Sequence, residues 1–215
     1  MASIVADSCC DMTPELREQL GVISVPLTMT LGDESYRDDE NLDLPAFMSA
    51  MQRNKKRSAS AAPSPDLYRK AFEENSPAYG IALSSNLSGS YQSAVVGQSL
   101  AEEQGAKVHV FDSKSASAGE VLIAITLRKW IDMGMEKLDI VQRMESFIAR
   151  MKTFFVLDRL DNLMRNGRLN LIAGKIISIL GIKLLLGSDG EGNIQLFGKA
   201  RGMKQALNAM ADTVE

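Results

Sequence analysis

The chain has 215 residues, 45% of them hydrophobic and 24% charged, with a formal net charge of −3. That length fits one or two globular domains, and the acidic balance excludes the basic footprint that nucleic acid demands. Its two cysteines, Cys9 and Cys10, are adjacent and cannot staple distant segments, so a reducing, cytoplasmic setting is expected.

Taken in order, residues 3–6 read as a short strand running into Asp7-Ser8, with no basic-then-apolar leader pattern at this N-terminus. Thr13 then caps a helix with Pro14 at its first position, closed by Gly21. Residues 22–31 read as one strand, with Gly32-Asp33 turning into a second at 34–37. Asp43 and Pro45 open a helix over 46–53. A loop of small residues, Ser58-Ala59-Ser60-Ala61-Ala62-Pro63, leads to the helix that Ser64 and Pro65 start. Residues 78–83 form an apolar strand, which meets Ser84-Ser85-Asn86-Leu87-Ser88-Gly89-Ser90. A helix follows to Gln104, where Gly105 is a natural stop.

Residues 107–111 are the next strand, ending in Asp112-Ser113-Lys114-Ser115. The helix over 119–133 is apolar nearly all round, which places it in the middle of the fold. An amphipathic helix over 138–151 and a strand over 154–157 come next. Alternating strands and helices make residues 1–152 an α/β domain with a mostly parallel sheet. Residues 160–166 form a short helix ended by Gly167. The Leu- and Ile-rich run 171–186 is too short to span a bilayer and is broken by Gly174, Lys175, Gly181 and Lys183. It reads as a buried helix and a strand, without stable membrane insertion. A hairpin through 187–193 and a helix over 203–213 finish the chain. Residues 153–215 are therefore expected to be the start of a second α/β domain, truncated here.

Three strand ends carry hydroxyl residues before a helix: Asp7-Ser8, Ser84 to Ser90, and Asp112 to Ser115. In an open parallel sheet these ends share one edge, where ligands bind. A strand-to-helix turn offers free N–H groups and the positive end of the helix dipole to an anion. Ser88, Ser90 and Asn86 add neutral donors, and Gly89 admits close backbone approach. Such a serine turn also serves many helices simply as a cap, so it leaves an anion site and a plain helix start both open.

Catalytic sets are poorly represented. The single histidine, His109, falls inside a strand, and no Gly-x-Ser-x-Gly elbow occurs. Two adjacent cysteines and one distant histidine have no metal-ligand spacing, so neither metal nor cofactor is expected. Asp7 and Asp112 could pair as carboxylates, but each reads better as capping its own loop. A chain so furnished is expected to bind rather than catalyse. A hydrolase or phosphoryl-transfer enzyme using Ser88 or Asp112 is the alternative, as is a degenerate paralogue acting through protein contacts.

Residues 4–8 (Ile-Val-Ala-Asp-Ser), Val25-Pro26-Leu27, the Ser60 to Pro65 loop and the run from Leu83 to Ala94 resemble the DegV family of bacterial fatty-acid-binding proteins. Asp112 to Ser115, residues 157–169 and Lys199-Ala200-Arg201 continue the match, and the serine turn is its most specific segment. The resemblance implies two α/β domains with a long-chain fatty acid between them and no chemistry of its own. It implies that the carboxylate is held by Ser60, where the family usually has threonine, and by Ser88, with Arg168 as a head-group neighbour. It further implies presentation of that carboxylate to a separate fatty acid kinase. The family's C-terminal histidine motif lies outside this chain.

Overall fold

The computed structural model describes residues 1–54, 58–169 and 182–214. The chain divides into two units, Met1–Met151 and Lys152–Glu215. The first contains β1 (Ser3–Asp7), α1 (Pro14–Leu20), β2 (Val22–Val25), β3 (Thr28–Leu31), β4 (Glu34–Arg37), α2 (Leu44–Arg53) and β5 (Ser58–Ala61). It continues with α3 (Pro65–Glu74), β6 (Ala78–Ala82), α4 (Ser90–Glu103), β7 (Val108–Asp112), α5 (Ala118–Asp132) and α6 (Lys137–Arg150).

The organising sheet has the order β2-β1-β6-β7, every pairing parallel. Its central strands are short apolar runs, as a sheet covered on both faces requires. Side chains alternate between two cores, following the period of two along a strand. Ile4, Ala6, Tyr79, Ile81 and Phe111 face one way, onto Ile123 and Leu127 of α5 and Ile140 and Met144 of α6. Val5, Ala78, Ala82, Val108 and Val110 face the other way, onto Tyr68 and Phe72 of α3 and Ala94 and Ala101 of α4.

The caps form as their residue types dictate. Thr13 Oγ1 accepts from Leu16 N at 3.2 Å, and Gly21 closes α1 in the left-handed region at φ 62°. Ser64 Oγ accepts from Leu67 N at 3.3 Å to start α3. Along α4 the buried residues are Ser90, Ala94, Gly97 and Ala101, and the last three form a narrow stripe of small residues that lets α3 approach closely. A Cβ on Gly97 would lie 2.6 Å from Tyr68 Cβ and 2.8 Å from the Pro65 carbonyl oxygen.

Three readings of the sequence are corrected here. Residues 22–31 are two strands: β2 joins the parallel sheet, while β3 belongs to a separate antiparallel sheet of order β4-β3-β5. The break falls at Pro26, which has no N–H to continue a ladder, and Leu27 N turns aside to Ser8 Oγ at 3.0 Å. The expected loop at 58–63 begins as β5, with Ser60 paired to Met29 of β3. Helix α5 is not enclosed all round either, since Leu122 is 45% and Ile125 41% exposed.

The second unit holds β8 (Phe154–Val156), α7 (Asp161–Arg165), β9 (Ile182–Ser188), β10 (Ile194–Arg201) and α8 (Gly202–Val214). Its sheet has the order β10-β9-β8, antiparallel throughout. Leu184, Leu185 and Leu186 of β9 are buried, and α8 packs on all three strands. Asp189 shapes the β9–β10 turn by accepting from Glu191 N at 2.8 Å and Asn193 N at 3.1 Å. The helix expected within 171–186 lies at positions outside the described residues, apart from the strand β9.

Candidate functional site

Parallel strands β1, β6 and β7 end side by side, so Asp7, the serine turn and Asp112 share one edge of the sheet. The turn is stitched chiefly by its own hydroxyls and carbonyls. Ser84 O accepts from Leu87 N at 2.9 Å and Ser88 N at 3.0 Å, and Ser84 N donates to Ser115 O at 2.9 Å. Asn86 N donates to Ser84 Oγ at 3.3 Å. On the β7 side, Ser113 Oγ donates to Ser115 O at 3.0 Å and accepts from Ser115 N at 3.1 Å.

Beneath the turn Asp7 acts as a hub. Its Oδ2 accepts from Leu83 N at 2.8 Å and from Ser90 Oγ, while Oδ1 accepts from Cys9 N at 3.1 Å. Tyr68 OH lies 2.6 Å from Ser90 Oγ and 3.5 Å from Asp7 Oδ2. Asp7, Tyr68 and Ser90 are each at most 1% exposed. Burial raises the Asp7 carboxyl above its ordinary range, an effect the Ser90 hydrogen bond opposes. Asp7 thus does cap its own loop at Cys9, and it also ties three other segments together. Asp112 does the same at the rim: it accepts from Lys114 N at 3.0 Å, from Ser85 N at 3.1 Å and from Ser85 Oγ at 2.6 Å.

The residues singled out in the sequence have distinct placements. Ser88 is half-buried and its Oγ accepts from Ser90 N at 3.1 Å. A hydroxyl that accepts there keeps its proton to donate elsewhere. Gly89 and Asn86 are exposed, and Gly89 is the N-cap of α4, with no side chain capping the helix. The N-cap of this 14-residue helix therefore supplies no side-chain cap, although Ser88 Oγ meets the N–H of its first residue, Ser90. The chain after β5 runs alongside, for Ala62 Cβ lies 4.0 Å from where a Cβ on Gly89 would stand. Ser60, two residues earlier, is exposed on β5. Ser90 has its hydroxyl committed to Asp7 and Tyr68, so it supports the turn from below. Arg168 belongs to the second unit, where its Nη1 donates to Asn166 O at 2.7 Å.

The partners of a nucleophile assemble differently from what the enzyme reading would need. Asp112 engages Ser85, and His109 packs its ring against Phe111 at 4.7 Å, with its pKa lowered by burial and by Lys137. Burial pushes both Cys9 and Cys10 thiols well above their usual range. Among the described residues no group of three or more His, Cys, Asp or Glu could hold a metal ion. No described helix is long and apolar enough to cross a membrane. A cavity of about 640 Å³ opens elsewhere, at the C-terminal ends of α3 and α4, beside Arg69, Glu73, Leu100 and Glu103. Arg69 is occupied there by Asp66 and Glu73, so this cavity offers an anion little.

Sequence reading passed over Tyr68 and Glu120. Tyr68 sits in a helix that reads as ordinary amphipathic structure, and nothing local marks its hydroxyl. Glu120 carried a signal: it is one acid inside the apolar run of α5, and a charge there needs a partner. It is fully buried, and burial followed by the charge of Asp7 raises its carboxyl well above the usual range.

The family model described as "Uncharacterised protein, DegV family" matches residues 1–215. A DegV domain-containing protein of Streptococcus pyogenes is 32% identical, over 99% of this chain and 77% of that protein. A DegV-family crystal structure from Ruminococcus gnavus, containing vaccenic acid, superposes with a TM-score of 0.93 at 37% identity. It covers 99% of this chain and 77% of its own. The Streptococcus pneumoniae fatty acid kinase B3 protein, loaded with linoleic acid, superposes with a TM-score of 0.91 at 34% identity, covering 100% and 78%. With a mixed α/β fold, a serine turn on the sheet edge and a family match along its whole length, the chain belongs to the DegV family.

Proposed function

We propose that this protein binds a long-chain fatty acid and holds the carboxylate at the start of α4. The observation that carries this reading is the start of α4, whose N-cap Gly89 has no side chain to cap it, beside a half-buried Ser88 with a proton to donate. Ser88 and Ser60 supply hydroxyls, the backbone at Gly89 and Ser90 lines the site, and Asn86 stands at its mouth. The family resemblance adds Arg168 as a head-group neighbour. Relatives crystallised with vaccenic and linoleic acids support the choice of ligand class.

The energetics favour an apolar tail steered by a polar head. A buried carboxylate without partners would take up a proton or stay in water. Each hydrogen bond to the charged group contributes about 1.5–3 kcal/mol. A tail of about fifteen methylenes, at roughly 0.8 kcal/mol each, is worth on the order of 12 kcal/mol before association entropy is subtracted. Tail burial sets affinity and the serine turn sets orientation. The family resemblance further supports the reading that the carboxylate is presented to a separate kinase and that this chain performs no chemistry, and one relative loaded with linoleic acid is a fatty acid kinase B3 protein.

Native mass spectrometry of the purified protein, followed by organic extraction, tests the ligand class. A co-purified fatty acid at near one equivalent is expected. Protein that is ligand-free and binds neither palmitate nor oleate would overturn it. Formation of acyl phosphate by an added fatty acid kinase, dependent on this chain, tests the carrier role.

A further inference from the structure

Glu120 has no place in the scheme above, yet it is fully buried in the first turn of α5, and neither carboxyl oxygen has a hydrogen-bond partner among the described residues. Asp7, itself 1% exposed, is the charged group that acts on it most strongly and comes within hydrogen-bonding influence of it. Two carboxylates have no proton to put between them, and a hydrogen bond joins them only when one is the acid. Like charges enclosed together do not both ionise at neutral pH.

Asp7 is the member that must stay ionised. It already accepts from Leu83 N, Cys9 N and the Ser90 hydroxyl, and such donors stabilise a carboxylate. Glu120, near which Ser117 offers a single backbone donor among the described residues, is the natural holder of the proton. Among the described residues, the groups that act on the pair include no cation that acts directly on either carboxyl. Asp7 comes from β1, Cys9, Cys10 and Asp11 from the loop after it, Tyr68 from α3, Ser90 from α4, and Ser117 lies just before α5. Asp11 adds negative charge to Glu120, Asp38 acts on Cys9, and Arg17 acts on Cys10.

We propose that Asp7 and Glu120 share one buried proton, carried by Glu120, and that this proton positions the serine turn and keeps it receptive to an anion. The linkage is short. Glu120 donates to Asp7, Asp7 fixes the Ser90 hydroxyl, and Ser90 N–H orients Ser88 Oγ at 3.1 Å. Loss of the proton places a second negative charge under the first turn of α4 and works against an incoming carboxylate. Glu120 is a positioning residue in this scheme, not a ligand contact. The effect on binding rests on the carboxylate site proposed above; the shared proton does not.

The sign follows from the raised carboxyl. The folded protein retains a proton that the unfolded chain releases near pH 4.5. Stability relative to Glu120→Gln therefore falls as pH rises above that value, by up to about tenfold in the folding equilibrium per pH unit, and levels off once the folded pair ionises. Gln mimics the neutral acid, since its amide donates to Asp7 and carries no charge.

The test measures ligand-free wild type and Glu120→Gln by denaturant unfolding from pH 4.5 to 9.5, and binding of oleate by both over pH 7 to 9.5. The expected stability gap widens with pH, and oleate affinity of wild type falls about tenfold further than that of Glu120→Gln at the alkaline end. Comparing the two proteins cancels the titration of oleate itself. Parallel stability profiles would overturn the shared proton. A widening stability gap with parallel binding profiles would overturn the link to the anion site alone. Absence of oleate binding by either protein, with a widening gap, would sink the proposed function and the link while leaving the proton in place. Should Glu120→Gln fail to fold, infrared spectra of wild type decide: a buried protonated-carboxyl stretch at pH 7 is expected, and its absence refutes the proton.

Discussion

Replacing Ser90 by alanine removes one oxygen from the interior and tests whether the Asp7 hub holds the first unit together. Ser90 Oγ makes two buried hydrogen bonds, one to Asp7 and one of 2.6 Å with Tyr68. The first is charge-assisted and contributes about 1.5–3 kcal/mol; the second, between neutral groups, contributes about 1 kcal/mol. Some is recovered, because Tyr68 OH already lies 3.5 Å from Asp7 Oδ2 and can turn onto it. The expected net loss is about 2–3 kcal/mol. At roughly 2–4 °C per kcal/mol for a protein of this size, that lowers Tm by about 4–12 °C. Urea unfolding of wild type and Ser90→Ala gives the difference directly. Ser99→Ala, an exposed hydroxyl on the same helix bonded only to Val95 O, is the control and should change stability by less than about 0.5 kcal/mol. A Ser90→Ala loss no larger than that of the control would refute the hub.

Other substitutions probe the frame around it. Gly97→Ala places a methyl 2.6 Å from Tyr68 Cβ and 2.8 Å from a backbone oxygen. That overpacking outweighs the gain in helix propensity, and an unfolding titration should show a net loss of about 1–3 kcal/mol. Thr13→Ala removes the Oγ1 cap of α1 and should cost about 1 kcal/mol in the same assay. Cys9 and Cys10, with thiols raised by burial, should resist iodoacetamide at pH 8 in the native protein and react at once on unfolding.

Much of the frame was legible because it is written locally. Thr13-Pro14 and Gly21 bound α1 as their types require, and the apolar run before Ser84 gave β6 and the strand-to-helix turn. Convergence of three strand ends on one edge followed from a parallel sheet alone. Where reading failed, the deciding contacts lie far off in sequence. Residues 58–61 are serine and alanine, weak strand formers, and become β5 only because β3 offers a partner. Leu122 and Ile125 look like core, yet nothing in the sequence says which apolar side chains of α5 are covered. The three donors that meet Asp7 Oδ2 come from 61, 76 and 83 residues away, so a residue that reads as a loop cap is in fact a long-range tie. Glu120 could have been noticed as a charge in an apolar helix, though its counterpart could not.

The central claim is that hydroxyl and backbone donors at the start of α4 grip a carboxylate. Calorimetric titration of delipidated wild type and Ser88→Ala with oleate and with oleyl alcohol measures that grip with the tail held constant. Wild type should prefer oleate by about 10–150-fold, the worth of one charged hydrogen bond or slightly more, and Ser88→Ala should lose most of that preference. Equal affinity of wild type for acid and alcohol would contradict the account.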